Sequence, residues 1–207
     1  MTDQIKMDDL VSALQAAAQS MSVLETIAVI FAVIYLALAI QRNIWCWAAA
    51  AVSTSLYLVI FIDVKLYAES MLQVFYLGMA GYGFLRWRAV ELQALAPVIR
   101  WSYRNHTVAI VAIALGTALL GTALKLTDAA WPLVDAFTTT ASLFATWMVA
   151  QRVLENWLYW LIIDAISIAL FIDRGLYFTA LLFGLYIVMI AFGWRSWLAA
   201  YRANSSA

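Results

Sequence analysis

The chain contains an internal duplication, because the segment that begins at residue 41 recurs without gaps 110 positions later. Gln41-Arg42 falls on Gln151-Arg152, and Phe61-Ile62-Asp63 falls on Phe171-Ile172-Asp173. Duplicated halves in a membrane chain are typical of transporters, whose substrate site lies between the repeats. The shift gives 14 identical pairs over the 49 positions from 41 to 89, among them Trp47/Trp157, Leu66/Leu176, Tyr67/Tyr177, Leu72/Leu182, Tyr76/Tyr186, Met79/Met189, Gly83/Gly193 and Ala89/Ala199.

The composition is that of an integral membrane protein. Hydrophobic residues make up 66% and charged residues 12% of the 207 positions, whereas soluble domains have roughly 45–50% and 25%. The 12 basic and 12 acidic side chains balance, so no nucleic-acid partner is expected. Cys46 is the single cysteine, which excludes an internal disulfide and a cysteine metal cluster.

Seven stretches are long and apolar enough to cross the bilayer, where backbone groups must be satisfied within a helix. Because the first three match the last three, the fourth is a linker that keeps the two halves parallel. We therefore predict an all-α fold with two parallel three-helix repeats and a linker helix, a 3+1+3 arrangement. The predicted spans are Val23–Ile40, Ile44–Ile62, Leu66–Phe84, Thr107–Leu124, Pro132–Ala150, Asn156–Ile172 and Leu176–Trp194.

The distribution of Lys and Arg predicts the orientation. Eight lie on the side of the odd-numbered connections and the C-terminus, and four lie on the other side, which places the C-terminus in the cytoplasm and the N-terminus outside. The predicted organisation is an extracytoplasmic segment 1–22, which does not resemble a signal peptide, a first repeat 23–90, a cytoplasmic loop 91–106, the linker helix 107–124, a second repeat 132–197 and a cytoplasmic tail 198–207.

The sixth predicted helix carries the sharpest chemical feature. Asn156, Trp160 and Asp164 recur every four residues and so share one face, with Trp157 on its flank. A carboxylate at mid-membrane depth costs roughly 2.5–3.5 kcal/mol, so Asp164 is expected to face a cavity. The structural alternative is a protonated or hydrogen-bonded Asp164 that joins two helices. The match between Trp157 and Trp47 favours a packing role for that pair.

Two further helices offer candidate ligand contacts. The third carries Gln73 and Tyr76 in one stripe with Glu69, which is closer to its outer end. The fifth carries Thr139 within a hydroxyl-rich stretch, followed by Trp147. Hydroxyls in membrane helices mostly bond their own backbone, so a structural role is the main alternative for Thr139.

The residues required for nucleotide binding and for metal binding are absent from the sequence. Gly116 and Gly121 are spaced as in a phosphate-binding loop, but Lys-Ser/Thr does not follow. His106 is the single histidine, which excludes a histidine pair for a metal. We expect no cofactor, no metal and no enzyme activity. A membrane enzyme that uses Asp164 and a purely structural oligomer stay open as alternatives.

The chain resembles the PnuC-type vitamin transporters. The resemblance lies in Glu69-Ser70-Met71-Leu72-Gln73-Val74-Phe75-Tyr76 with Gly81-Tyr82-Gly83, and in Glu155-Asn156-Trp157-Leu158-Tyr159-Trp160 with Asp164 and Gly175-Leu176-Tyr177. It covers nearly the whole chain from the first helix to Trp197.

This resemblance implies a SWEET-like fold, a homotrimer in the inner membrane and facilitated diffusion of nicotinamide riboside, which a cytoplasmic kinase then traps. Relatives that carry thiamine or riboflavin leave the vitamin open. The family's site lies between the repeats, and the resemblance places it on Gln73, Tyr76, Asn156, Trp157, Trp160 and Asp164.

Overall fold

A computed structural model describes residues 23–63, 67–91, 97–126, 131–173 and 177–205. Within these ranges the protein is all-helical, apart from one isolated bridge between Ile99 and Val153. The predicted extracytoplasmic segment 1–22 lies outside the described residues. The helices are α1 (Val23–Ile40), α2 (Cys46–Asp63), α3 (Tyr67–Glu91), α4 (Tyr103–Leu124), α5 (Pro132–Ala150), α6 (Asn156–Asp173) and α7 (Tyr177–Ser205).

The helices follow the predicted spans, with α1 and α5 at the predicted bounds. Among the described helices, α1, α4, α5 and α7 have the length and apolar composition of a membrane span, and α2 and α6 contain shorter apolar segments. The predicted loop 91–106 is too long, because α4 begins at Tyr103 behind Ser102, whose side chain accepts a hydrogen bond from the Asn105 amide. The predicted tail is helical to Ser205. Hydropathy marks the end of the apolar stretch, whereas a helix continues as long as its own hydrogen bonds do.

Six helices form a closed ring. Within each repeat the middle helix packs between the other two, so that α2 lies between α1 and α3, and α6 lies between α5 and α7. Between the repeats, α1 packs on α7 and α3 packs on α5. The linker α4 packs on the outside of α5, where Gly116 lies against Thr140 and Gly121 against Leu133. A side chain at either glycine would push the two helices apart.

The duplication is a structural one, as the turns after α1 and α5 show. Arg42 and Arg152 both adopt a left-handed conformation with φ of 57°. The Arg42 amide donates to Ala39 O at 3.0 Å, and the Arg152 amide donates to Val149 O at 2.9 Å. An αL residue that closes a helix is a specific local geometry, and it recurs here at the same offset of 110. The two repeats are therefore parallel copies related by a pseudo-twofold axis.

Four tryptophans close one end of the ring. Trp47, Trp87, Trp157 and Trp197, which we call the tryptophan layer, are each 0–2% exposed. Trp47 meets Trp87 edge-on at 5.5 Å, Trp157 meets Trp197 edge-on at 5.5 Å, and Trp87 and Trp197 join the two pairs at 6.3 Å. Edge-to-face packing at these distances is favourable. The layer thus spans both repeats at the end where α1 and α5 finish.

Reciprocal hydrogen bonds tie this layer to the opposite repeat. Trp87 of the first repeat donates its indole N–H to Ala150 O at 3.1 Å, and Trp197 of the second repeat donates to Ala39 O at 3.0 Å. Both carbonyls belong to the last turns of helices, which lack a partner within the helix. Each repeat therefore caps a helix of the other.

Candidate functional site

The ring encloses a cavity of about 640 Å³, a volume in the range of small-molecule sites. On α1 it extends from Ala39, beside the tryptophan layer, to Glu25 in the first helical turn. At 1.5 Å per residue this corresponds to roughly 21 Å along the helix axis. All six helices of the ring contribute side chains, so the cavity lies at the interface between the repeats.

The residues that line the cavity are related by the internal repeat. Most residues that line the cavity have a counterpart 110 positions away that also lines it. The pseudo-twofold axis therefore runs through the cavity. The chemistry of the counterparts nevertheless differs. The pairs are Val29/Thr139, Ala32/Ser142, Leu36/Thr146, Ala39/Val149, Trp47/Trp157, Ala50/Trp160, Ser53/Ile163, Thr54/Asp164, Tyr57/Ser167, Leu72/Leu182, Gln73/Phe183 and Tyr76/Tyr186.

Helix α6 presents the predicted stripe to the cavity. Asn156, Trp160 and Asp164 all line it, as their spacing of four requires for one helix face. Asn156 is fully buried, and its Nδ2 donates to Val153 O at 2.7 Å, whereas its Oδ1 has no hydrogen-bond partner among the described residues. Asp164 is 4% exposed. Buried polar groups of this kind are stabilised by a partner, and a polar ligand can supply one.

Trp157 lines the cavity as part of the tryptophan layer. A side chain at Gly193 would overlap its ring, and a side chain at Gly83 would overlap the ring of Trp47 in the same way. The two tryptophans therefore pack alike in both repeats, as the sequence match favoured. Their indole N–H groups are buried without a hydrogen-bond partner among the described residues.

Helices α3 and α5 form the wall beside α6. Gln73 and Tyr76 line the cavity from α3, and Thr139 lines it from α5. The Tyr76 hydroxyl on α3 and the Ser142 hydroxyl on α5 line the same cavity as the Asp164 carboxylate. Other hydroxyls on α5 bond their own helix, as expected for membrane helices: Thr138 donates to Val134 O and Asp135 O, Thr140 to Ala136 O, and Thr146 to Ser142 O.

The structure places one candidate residue outside the cavity and does not describe the side chain of another. Trp147 lies on the outer side of α5, is 41% exposed and packs against Trp101 at 5.4 Å, so it does not line the cavity. The sequence did not indicate that Trp147 lies outside the cavity. A helix in a membrane is apolar on all sides, so the periodicity of apolar residues does not mark its inner face. The side chain of Glu69 lies outside the described residues.

Several lining residues were not predicted from the sequence. Tyr35, Tyr57, Ser142 and Tyr186 carry hydroxyls into the cavity, and Glu25 carries a carboxylate. A signal for two of them existed, because Tyr186 is the repeat counterpart of the candidate Tyr76 and Ser142 lies three residues after the candidate Thr139 on the same helix. Within the described ranges, no three His, Cys, Asp or Glu residues approach each other closely enough to hold a metal ion.

Ile99 and Arg100, which precede α4, form hydrogen bonds with the turn that precedes α6. The Ile99 amide donates to Arg152 O at 3.0 Å, and the Leu154 amide donates to Ile99 O at 2.8 Å. Arg100 Nε pairs with Glu155 Oε1 at 2.7 Å, and this hydrogen bond and charge raise the pKa of Arg100. Asn156 follows directly, so these contacts hold the start of the polar wall in place. In the first repeat the Trp45 amide instead donates to the Asn43 side chain of its own turn.

Known proteins of the same architecture are transporters. The family profile described as "Nicotinamide mononucleotide transporter" matches residues 22–199. The nicotinamide riboside transporter PnuC of Escherichia coli (strain K12) is 25% identical over 92% of this chain and 91% of its own length. The riboflavin/roseoflavin transporter RibM of Streptomyces davaonensis is 25% identical over 85% of this chain and 84% of its own length.

A crystal structure of the vitamin B3 transporter PnuC superimposes with a TM-score of 0.72, at 20% identity, over 94% of this chain and 90% of that one. This likeness confirms the seven-helix fold. The family match extends over most of the chain and includes both repeats. The chain is therefore a multi-pass membrane protein that belongs to the nicotinamide mononucleotide transporter family.

Proposed function

We propose that this protein carries nicotinamide riboside across the cytoplasmic membrane by facilitated diffusion. The observation that carries the proposal is the α6 wall, where a carboxylate, an indole and an amide face one cavity between the repeats. Nicotinamide riboside combines a flat cationic ring, an amide and a hydroxylated ribose. Each of these groups has a chemical partner on that wall.

The residues divide the recognition among them. Trp160 stacks on the ring, which is worth roughly 1–3 kcal/mol for a base on an aromatic side chain, and the positive charge adds about 0.5–2 kcal/mol of cation–π attraction. Asp164 balances that charge. Asn156 and Gln73 pair with amide and hydroxyl groups, with Tyr76 and Thr139 beside them, while Trp157 forms the floor.

Transport requires the ring of helices to open at one end and then at the other. We place the tryptophan layer on the cytoplasmic side, where most of the arginines lie, with the C-terminus inside and the N-terminus outside. Release then requires the bonds from Trp87 to Ala150 and from Trp197 to Ala39 to break as one repeat rocks against the other. A cytoplasmic kinase phosphorylates the riboside and prevents its return. The functional unit is a homotrimer in the lipid bilayer.

Uptake into liposomes tests this proposal. Purified protein in sealed vesicles should accumulate labelled nicotinamide riboside to the external concentration without ATP and without an ion gradient. Strict dependence on either would exclude facilitated diffusion. Mass analysis of the internal ligand should return unchanged nicotinamide riboside, since a modified product would favour an enzyme.

Riboflavin is the second candidate, because the Streptomyces davaonensis relative is named as a riboflavin transporter at the same identity. The two vitamins differ in charge, since riboflavin is neutral and offers Asp164 no cation. Quenching of tryptophan fluorescence by a panel of nicotinamide riboside, thiamine and riboflavin separates them. Tightest binding of riboflavin would replace the first candidate with the second.

A further inference from the structure

The charges that line the cavity all have one sign. Among the described residues of its wall, Glu25 and Asp164 are the charged ones, and Lys, Arg and His do not occur there. A cavity with carboxylates and low-dielectric walls concentrates cations and repels anions. The lining therefore has a charge preference that reaches beyond the single contact at Asp164.

The two carboxylates lie at different depths of a cavity that hydroxyl groups also line. Glu25 is in the first turn of α1, whereas Asp164 follows two turns of α6 beyond Asn156. Tyr57 on α2 and Tyr186 on α7 place hydroxyl groups on the wall of the same cavity. Glu25, Tyr57, Tyr186 and Asp164 all line the cavity, so polar groups occur at its Glu25 end as well as at the polar wall.

We propose that Glu25 is a capture residue, which attracts a cationic substrate at the mouth of the cavity and makes the transporter prefer cations over neutral molecules of the same shape. This inference rests on the proposed function. Glu25 acts before the substrate reaches the α6 wall, so it sets the rate of entry. Asp164 acts on the bound substrate.

The internal repeat supplies a matched control. The counterpart of Glu25 is Asp135, which is also an acidic residue in the first turn of its helix but does not line the cavity. Both carboxylates favour the positive N-terminal end of their helices. Loss of that stabilisation is therefore common to Glu25→Gln and Asp135→Asn, and loss of substrate capture is specific to Glu25→Gln.

The experiment compares nicotinamide riboside with its reduced, uncharged dihydro form in liposome uptake. At low salt, Glu25→Gln should raise the KM for the cation about threefold to tenfold with little change in maximal rate, because steering by a charge acts on association. In 1 M NaCl, where charges are screened beyond about 3 Å, the difference should vanish. For the cation, Asp135→Asn should have the same KM as the wild type. For the dihydro form, Glu25→Gln and Asp135→Asn should both have the same KM as the wild type.

Each other outcome has a definite meaning. An unchanged KM in Glu25→Gln, an equal effect on the neutral form or an equal effect of Asp135→Asn overturns the inference and leaves transport intact. A wild type that carries the neutral form as well as the cation also overturns it. Failure of the wild type to take up either riboside overturns the proposed function itself.

Discussion

The two repeats are alike at the tryptophan layer and unlike in the cavity above it. At the layer, Trp47 meets Trp87 edge-on as Trp157 meets Trp197, and Gly83 and Gly193 leave the same space for these rings. In the cavity, the second repeat has the larger or more polar residue at most of the differing pairs on α5 and α6, such as Ser142 for Ala32 and Asp164 for Thr54. The symmetric positions thus carry the shared packing, and we propose that the asymmetric positions orient an asymmetric ligand.

The largest effect should come from substitutions of the two glycines that pack against the tryptophan layer. Gly83→Val and Gly193→Val should each lower the free energy of unfolding by about 3 kcal/mol, the upper end of overpacking costs, because a fully buried indole has little room to move. Thermal melting in detergent measures the loss. Gly184→Val is the control, since a Cβ atom there meets no atom within 4 Å. Equal melting temperatures for all three variants would contradict a shared packing role.

The next largest effect should come from making the cavity symmetric at Asp164. Asp164→Thr, which copies Thr54, should weaken binding of nicotinamide riboside by about 2 kcal/mol, or roughly 30-fold, since hydrogen bonds to charged groups contribute about 1.5–3 kcal/mol. Calorimetry measures the affinity. Thr54→Ser on the opposite wall keeps the hydroxyl that donates to Ala50 O at 2.8 Å and should bind normally. If Asp164→Thr binds nicotinamide riboside with unchanged affinity, Asp164 has a structural role only.

A smaller effect is expected at Trp160, whose counterpart is Ala50. Trp160→Ala should cost about 1.5 kcal/mol of binding, within the 1–3 kcal/mol of a base stacked on an aromatic side chain, while the protein stays folded. Fluorescence quenching measures the affinity and size-exclusion chromatography the fold. Trp147→Ala is the matched control, because Trp147 is on α5 outside the cavity. If Trp147→Ala weakens binding as much as Trp160→Ala does, the role assigned to the α6 wall is wrong.

The sequence predicted helices, repeats and the α6 wall for identifiable reasons. Apolar stretches must be helical in a bilayer, and identities such as Trp87/Trp197 mark positions where both copies need the same side chain. Asn156, Trp160 and Asp164 stood out because polar groups are rare at that depth. Trp147 could not be excluded in this way. Its position outside the cavity depends on which face of α5 meets α4, and apolar neighbours on all sides conceal that face.

The pattern of residues along the chain predicts two parallel three-helix units joined by a linker, and it identifies the polar residues of one helix. What those residues face depends on how the helices pack together. The hydrogen bonds from Trp87 and Trp197 to the opposite repeat and the approach of Glu25 to the same cavity as Asp164 join residues more than 60 positions apart. The ring of six helices closes through packing between the two repeats. Helix formation is local and is readable from composition, whereas contacts between helices depend on packing that both partners determine together.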